Sequence, residues 1–312
     1  MTRPPEEQAA QSETGELPLP GVPGRLPSAQ SGRHERPAAV EVIRPPSFSI
    51  RDLCRHLARL VEHRDLLYTL TIHRIGVRYK QSVLGYFWAV LHPLLLLLLY
   101  TVIFARLAKV PTNGIPYTVF AYSALLPWAF FSNGLSAATI GLPAHSHLLS
   151  RVYFPREILP LSYVLAALMD FAIASGLLMA LMFHYGFRLR LAALWTIPAM
   201  LILSLFLTGV ALFASVLQTR FRDVGVAMPL LLQVWMFATP IVYSRTSVPE
   251  SFLRWYDLNP LVAITETFRA ALVGGSFPAP ARIVECVSIS LVVTALSYAF
   301  FKHVEATLVD MI

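Results

Sequence analysis

Five stretches of this chain, Gly85–Ala105, Tyr117–Leu142, Ile158–Phe183, Leu191–Leu217 and Val224–Tyr243, contain one formal charge among them, Asp170. Each reaches the roughly 20 residues that a helix needs to cross about 30 Å of hydrocarbon. Inside lipid no water satisfies backbone N–H and C=O groups, so uncharged runs of this length fold as helices that satisfy their own backbone. A sixth run, Cys286–Phe301, becomes long enough once Ile283 and Val284 are added across Glu285. The sequence therefore predicts an all-α polytopic membrane protein with six transmembrane helices near residues 85–105, 117–142, 158–183, 191–217, 224–243 and 283–301.

An even number of spans returns both termini to one side. That side collects twelve Lys and Arg near the span ends against eight on the other. Basic residues concentrate in cytoplasmic loops, so both termini are expected in the cytoplasm and the chain in the cytoplasmic (inner) membrane. The net charge of +7 fits basic residues flanking membrane spans, and no nucleic-acid partner is needed to explain it. Cys54 and Cys286 lie far apart, with no CxxC or Cys/His neighbour to indicate zinc or a redox pair.

Residues 1–46 hold nine of the 23 prolines and no apolar periodicity. Ordering them would cost entropy without burying a core, which predicts a disordered cytoplasmic tail ahead of a membrane domain over 47–312. No apolar run follows Met1, so no signal peptide is expected. From Ser49 the pattern changes. Leu53, Leu57, Leu60, Val61 and Leu67 recur at helical spacing, with Asp52, Arg55, Arg59, Glu62 and His63 on the other face. Such a basic amphipathic helix suits the bilayer interface, its arginines among lipid phosphates, and would also suit a partner protein.

Three segments are neither spans nor short turns. Ile75–Gly85 runs into the first apolar run and reads as its start, with Arg78 and Lys80 at phosphate level, Tyr86 and Trp88 in an aromatic belt, and Pro93 a potential kink. His145–Pro160, between spans two and three, places Leu148, Leu149, Val152 and Tyr153 on one helical face beside Arg151 and Arg156. It is either a surface connector or a knob that docks into a soluble partner. His145 and His147 lack a third ligand and read as cap or solvated residues. The third, Ser244–Pro280, contains the Asn259-Pro260 turn, a helix over Leu261–Val273 with Glu266 and Arg269 three apart, and Gly274-Gly275 as a stop. Too short to span, it should be re-entrant over about residues 251–280 or lie at the outer interface.

Asp170 is the one carboxylate in mid-span. Proton coupling is the functional reading; a hydrogen bond to a Ser, Thr or Tyr of a neighbouring span is the plainer one. The chain has no GxxxxGK[ST], so it has no P-loop to cradle ATP phosphates, and no HExxH, GxSxG or Cys/His nucleophile arrangement. No catalytic residue and no resident cofactor or metal are expected, and energy for active transport must come from elsewhere.

Val77–Phe104 (VRYKQSVLGYFWAVLHPLLLLLLYTVIF), Ser150–Leu161 (SRVYFPREILPL), Thr219–Val224 (TRFRDV) and Asn259–Gly275 (NPLVAITETFRAALVGG) resemble the type 2 ABC exporter permeases, in their O-antigen, capsule and teichoic acid export branch. The resemblance covers roughly residues 50–305. It implies a permease that exports an undecaprenyl-linked glycan, paired with a second copy of itself and with two separate ATPase subunits that use ATP and Mg. It assigns the loop 145–160, with Leu148, Leu149, Arg151, Tyr153, Phe154, Arg156 and Glu157, to coupling with the ATPase. It assigns the Arg51–His63 helix to the cytosolic membrane surface. Asn259, Pro260, Glu266, Phe268 and Arg269 fall in outer re-entrant helices beside the exit.

In that branch the first and fifth spans border a glycan channel, which nominates Trp88, Tyr100, Phe104, Trp128, Phe131, Trp235 and Phe237 as lining. Aromatic faces stack on sugar rings without fixing one register. The same residues serve equally in core or lipid-facing packing, and no sequence feature says which face meets a lumen. Three other functions compete: a type 2 permease for drugs or small lipids, a membrane glycan-processing enzyme, and a secondary transporter driven by protons through Asp170. The enzyme would need paired carboxylates or a His/Asp site, where only scattered singles occur.

Overall fold

A computed structural model describes residues 60–80, 83–112, 114–145 and 154–305. All belong to the second of two units of the chain, Pro45–Ile312. The expected tail over 1–46, the start of the amphipathic helix, and Leu148, Leu149, Arg151 and Tyr153 of the coupling loop lie outside the described residues.

The described residues are helical, without strands. In chain order they form α1 (Arg64–Tyr79), α2 (Trp88–Tyr100, continued by a π-helical segment Thr101–Leu107), α3 (Tyr117–Gly141), α4 (Ile158–His184), α5 (Thr196–Arg220), α6 (Asp223–Phe237), α7 (Glu250–Asp257), α8 (Pro260–Val273) and α9 (Pro280–Glu305). Four helical stretches are long and apolar enough to cross a membrane: Trp88–Leu107, Ile158–His184, Leu191–Arg220 and Pro280–Glu305. The last resolves the marginal sixth run, because α9 carries Glu285 within its length and has 26 residues.

α3 is as long, with 25 residues, but its Tyr, Ser, Asn and Gly lower its hydropathy. The structure supplies the reason. α3 is the central helix, packed against α4, α5 and α8, and most of its side chains are buried in protein. A helix enclosed by protein gains nothing from a lipid-soluble surface and needs small residues for close packing. Phe131, at its middle, stacks on Phe206 of α5 at 5.7 Å and meets Trp235 of α6 edge-on at 5.0 Å.

Two expected elements have different bounds. Ile75–Tyr79 belongs to the C-terminal half of α1 and is not the start of the first span; the chain turns through Gly85, whose φ is +49°, before α2 begins at Trp88. The expected fifth span over 224–243 is helical only over 15 residues, about 22 Å at 1.5 Å per residue. It stops because the chain from Ala238 is held by side chains of other elements: Tyr117 Oη donates to Val242 O at 3.0 Å and Asn259 Nδ2 to Ala238 O at 3.2 Å.

α5 and α9 come into close contact at Gly209, where an added Cβ would lie 2.7 Å from the backbone Cα of Thr294. Backbone cannot rotate away, so Gly209→Ala is expected to destabilise the fold by about 1–3 kcal/mol. Gly176 in α4 has open space at the same position. Gly176→Ala should be neutral or stabilising through helix propensity. Thermal inactivation half-lives of the two variants in detergent provide the comparison; equal half-lives would refute the close α5–α9 contact.

Candidate functional site

At the end of the bundle where α4 begins and α9 finishes, Phe154, Ile158 and Leu159 pack with Leu142, Leu212, Val216 and Phe301 into a small core of their own. Leu66, Leu67 and Leu70 of α1 cover it. Glu157 sits in this core at 1% exposure, and its carboxylate accepts a hydrogen bond from Lys302 Nζ at 2.9 Å. Lys302, itself 8% exposed in its side chain, also reaches Glu305 at 2.8 Å. Arg156 donates to the Glu305 carbonyl. Burying a carboxylate is costly unless it is paired and hydrogen-bonded, and Lys302 supplies the pairing. Of the residues expected to touch an ATPase, then, Glu157 and Phe154 face inward. His145 fits the capping reading, with Nδ1 2.9 Å from Gly141 O and the pKa of the ring lowered by burial, while His147 lies outside the described residues.

One turn apart on α1, Arg74 and Arg78 lie against α4. Arg74 Nε donates to Ser162 Oγ at 2.5 Å and its guanidinium stacks over Tyr163, 3.4 Å from the ring centroid. Arg78 pairs with Asp170. The mid-span carboxylate thus has an arginine partner, and neither sequence reading of it, proton carrier or neutral hydrogen-bonding group, anticipated one. Asp170 also borders a cavity of about 610 Å³ between α2, α3 and α4, whose walls include Arg78, Trp88, His92, Trp128 and Asn133.

At the opposite end, α8 is buried along most of its length between α3, α5 and α9. Asn259 caps it, accepting from Leu261 N at 3.2 Å, Pro260 opens it, and Gly274 at φ +96° ends it, as the Asn-Pro and Gly-Gly signals predict. The side chain of Asn259 also accepts from Trp235 Nε1 at 3.2 Å and donates to Thr239 Oγ1 at 3.0 Å. The expected Glu266–Arg269 pair is replaced by longer-range bonds. Glu266 binds Arg282, while Arg269, 8% exposed, donates to Pro240 O at 2.9 Å and Ile241 O at 3.1 Å and stacks 3.7 Å from the Phe120 ring centroid. Arg245 grips Asp257 at 2.8 and 2.5 Å, and this carboxylate holds its pKa above the ordinary value. Phe268 is in the core and meets Phe171 edge-on at 6.2 Å.

The aromatics nominated for a channel divide. Tyr100, Trp128 and Phe131 are buried within the single subunit, where core packing accounts for them; Phe104 and Trp235 are half-buried against the same core. Trp88, at 46% exposure, and Phe237 present open faces. Lys302, Arg78 and Arg282 were not singled out as partners in the sequence, because each finds its carboxylate on a distant element.

A family model, ABC-2 type transporter, matches residues 65–273, from the first turn of α1 to the last residue of α8. The chain belongs to that family. Among curated relatives of this ABC-2 protein, the O-antigen export system permease protein RfbA of Klebsiella pneumoniae is 32% identical over 212 residues, covering 68% of this chain and 81% of the relative. A protein of the same description from Myxococcus xanthus is 26% identical over 80% of this chain and 96% of its own length. The polysialic acid transport protein KpsM of Escherichia coli is 26% identical over 66% of this chain and 80% of its own. The ABC-2 match contains Glu157, the Arg78–Asp170 pair and all of α8.

Proposed function

We propose that this ABC-2 protein is the permease subunit of an ATP-driven exporter that moves a lipid-linked polysaccharide of the O-antigen, capsule or teichoic acid type across the cytoplasmic membrane. The observation that carries this is the 32% identity to an O-antigen export permease over 81% of that relative. The permease works as a homodimer with two ATPase subunits, which bind and hydrolyse ATP with Mg. Six spans are assigned: the four long apolar stretches, the enclosed α3, and α6 extended by the segment that Asn259 and Arg269 hold. α7 and α8 form a re-entrant pair at the outer face, and both termini are cytoplasmic. α8 suits this role because protein buries most of its residues from Pro260 to Ala271.

In this mechanism ATP closes the ATPase subunits, and their movement enters through the coupling loop. Glu157 and Lys302 pass it to α9, and the small core around Phe301 passes it to α1. The spans then part for the glycan, with Trp88 and Phe237 among its first contacts. Replacing residues 148–153 with a Gly/Ser linker, leaving Phe154–Glu157 intact, is expected to yield inserted, folded protein that no longer retains the ATPase on pulldown. Undiminished retention would sink the docking assignment. A proton-driven carrier is separated by an uncoupler: glycan movement into inverted vesicles supplied with external ATP should persist when the proton gradient is collapsed.

A further inference from the structure

We propose that Arg74 and Arg78 form a site for the phosphate group of a lipid phosphate whose hydrocarbon chain enters the cavity between α2, α3 and α4, with Asp170 occupying Arg78 until that phosphate arrives. Arg74 is 9% exposed, yet among the described residues its Nη2 has no hydrogen-bond partner. A buried guanidinium nitrogen left unpaired is costly, and a phosphate oxygen is the acceptor that guanidinium geometry fits best. The two arginines sit four residues apart on one face of α1, so one ligand can touch both. Both also act on the same neighbour: Arg74 stacks on Tyr163, and Arg78 lies within electrostatic range of it.

Asp170 pairs with Arg78, while Arg74 bonds the neutral hydroxyl of Ser162, so no carboxylate is paired with Arg74 among the described residues. Beyond Arg78 and Asp170 the cavity of about 610 Å³ is walled largely by Leu, Ala, Phe and Trp, suited to hydrocarbon, with His92, Ser132, Asn133 and Ser136 as its other polar members. Arg78 is 35% exposed in its side chain and Asp170 13%, so the pair is reachable. An incoming phosphate exchanges one anion for another at Arg78 and gives Arg74 the acceptor it lacks.

The carrier-lipid version of this site rests on the proposed export function; the binding measurement uses no ATP and no transport, so the two fail separately. Full-length protein in phosphatidylcholine nanodiscs is titrated with undecaprenyl pyrophosphate, undecaprenol or phosphatidylglycerol, and bound lipid is counted by native mass spectrometry. Undecaprenyl pyrophosphate is expected to bind, undecaprenol at least about tenfold more weakly, and Arg74→Gln to weaken pyrophosphate binding about tenfold, the loss of one charge-assisted hydrogen bond. Asp170→Asn should tighten binding by freeing Arg78. Effective competition by phosphatidylglycerol identifies a membrane phospholipid as the source, and its absence identifies the carrier lipid; both keep the phosphate site. Equal binding of undecaprenol, unchanged affinity in Arg74→Gln, or no tightening in Asp170→Asn overturns it. If Arg74→Gln does not fold, Arg74→Lys is read instead: it keeps the charge but loses the fork, and a several-fold weakening is expected, with no change again counting against the site.

Discussion

Lys302→Met is expected to destabilise the protein by about 3–5 kcal/mol, the cost of leaving one member of a buried ion pair alone. Glu157, at 1% exposure, has Lys302 as its close cationic partner, and Tyr298 Oη at 3.5 Å is too distant to replace it. The double variant Glu157→Gln/Lys302→Met should recover most of the loss, because a neutral amide of similar shape no longer demands a charge. Thermal inactivation half-lives in detergent give the stability ordering, and pulldown of the ATPase gives the functional one. With the pair intact the loop at Pro155 and Arg156 is tied to α9; without it the single variant should lose ATPase retention even in the fraction that remains folded. Similar behaviour of single and double variants would show that the pair does not position the loop.

Arg269→Met is expected to cost a similar amount, about 3–5 kcal/mol, by a different route. Methionine fills much of the same volume but leaves the carbonyls of Pro240 and Ile241 without the donor they now share. These carbonyls lie just past the end of α6, where no helical partner exists and where Pro240 has no N–H to offer a neighbour. The segment from 238 to 249 should therefore loosen. Limited proteolysis is expected to nick Arg269→Met there while sparing Glu266→Gln, whose partner is Arg282. Equal nicking in both variants would mean that Glu266 and Arg269 work as the i,i+3 pair that their spacing implies, contrary to the observed bonds.

Arg74 and Arg269 illustrate a shared feature of this fold. Each places a guanidinium against an aromatic ring, 3.4 Å from Tyr163 in one case and 3.7 Å from Phe120 in the other. Arg269 has carbonyl acceptors for the nitrogens it buries, whereas Arg74 retains one without a partner among the described residues. The difference separates a structural arginine from one with capacity for a ligand.

Much of the architecture was legible in the residues themselves. The apolar runs locate α3, α4, α5 and α9 to within a few residues, and Asn259, Pro260 and Gly274 mark the ends of α8, because helix ends and bilayer crossings depend on local chemistry. The same locality explains the two errors in bounds. Hydropathy could not distinguish the amphipathic half-turns of Ile75–Tyr79 from the start of a span. Nor could it foresee that Val224–Tyr243 would leave the helix after Phe237, since the groups that hold its last residues come from Tyr117, Asn259 and Arg269.

The run lengths were enough, by themselves, to determine that this chain crosses a membrane. Only the tertiary structure decided who pairs with whom. Asp170 meets Arg78 across 92 positions, and Glu157 meets Lys302 across 145. Periodicity reports which face of a helix is apolar, a property of neighbours three and four residues apart. The partner of a buried charge is set by how distant helices pack, and that is where the Glu157–Lys302 pair and the paired arginines of α1 came into view.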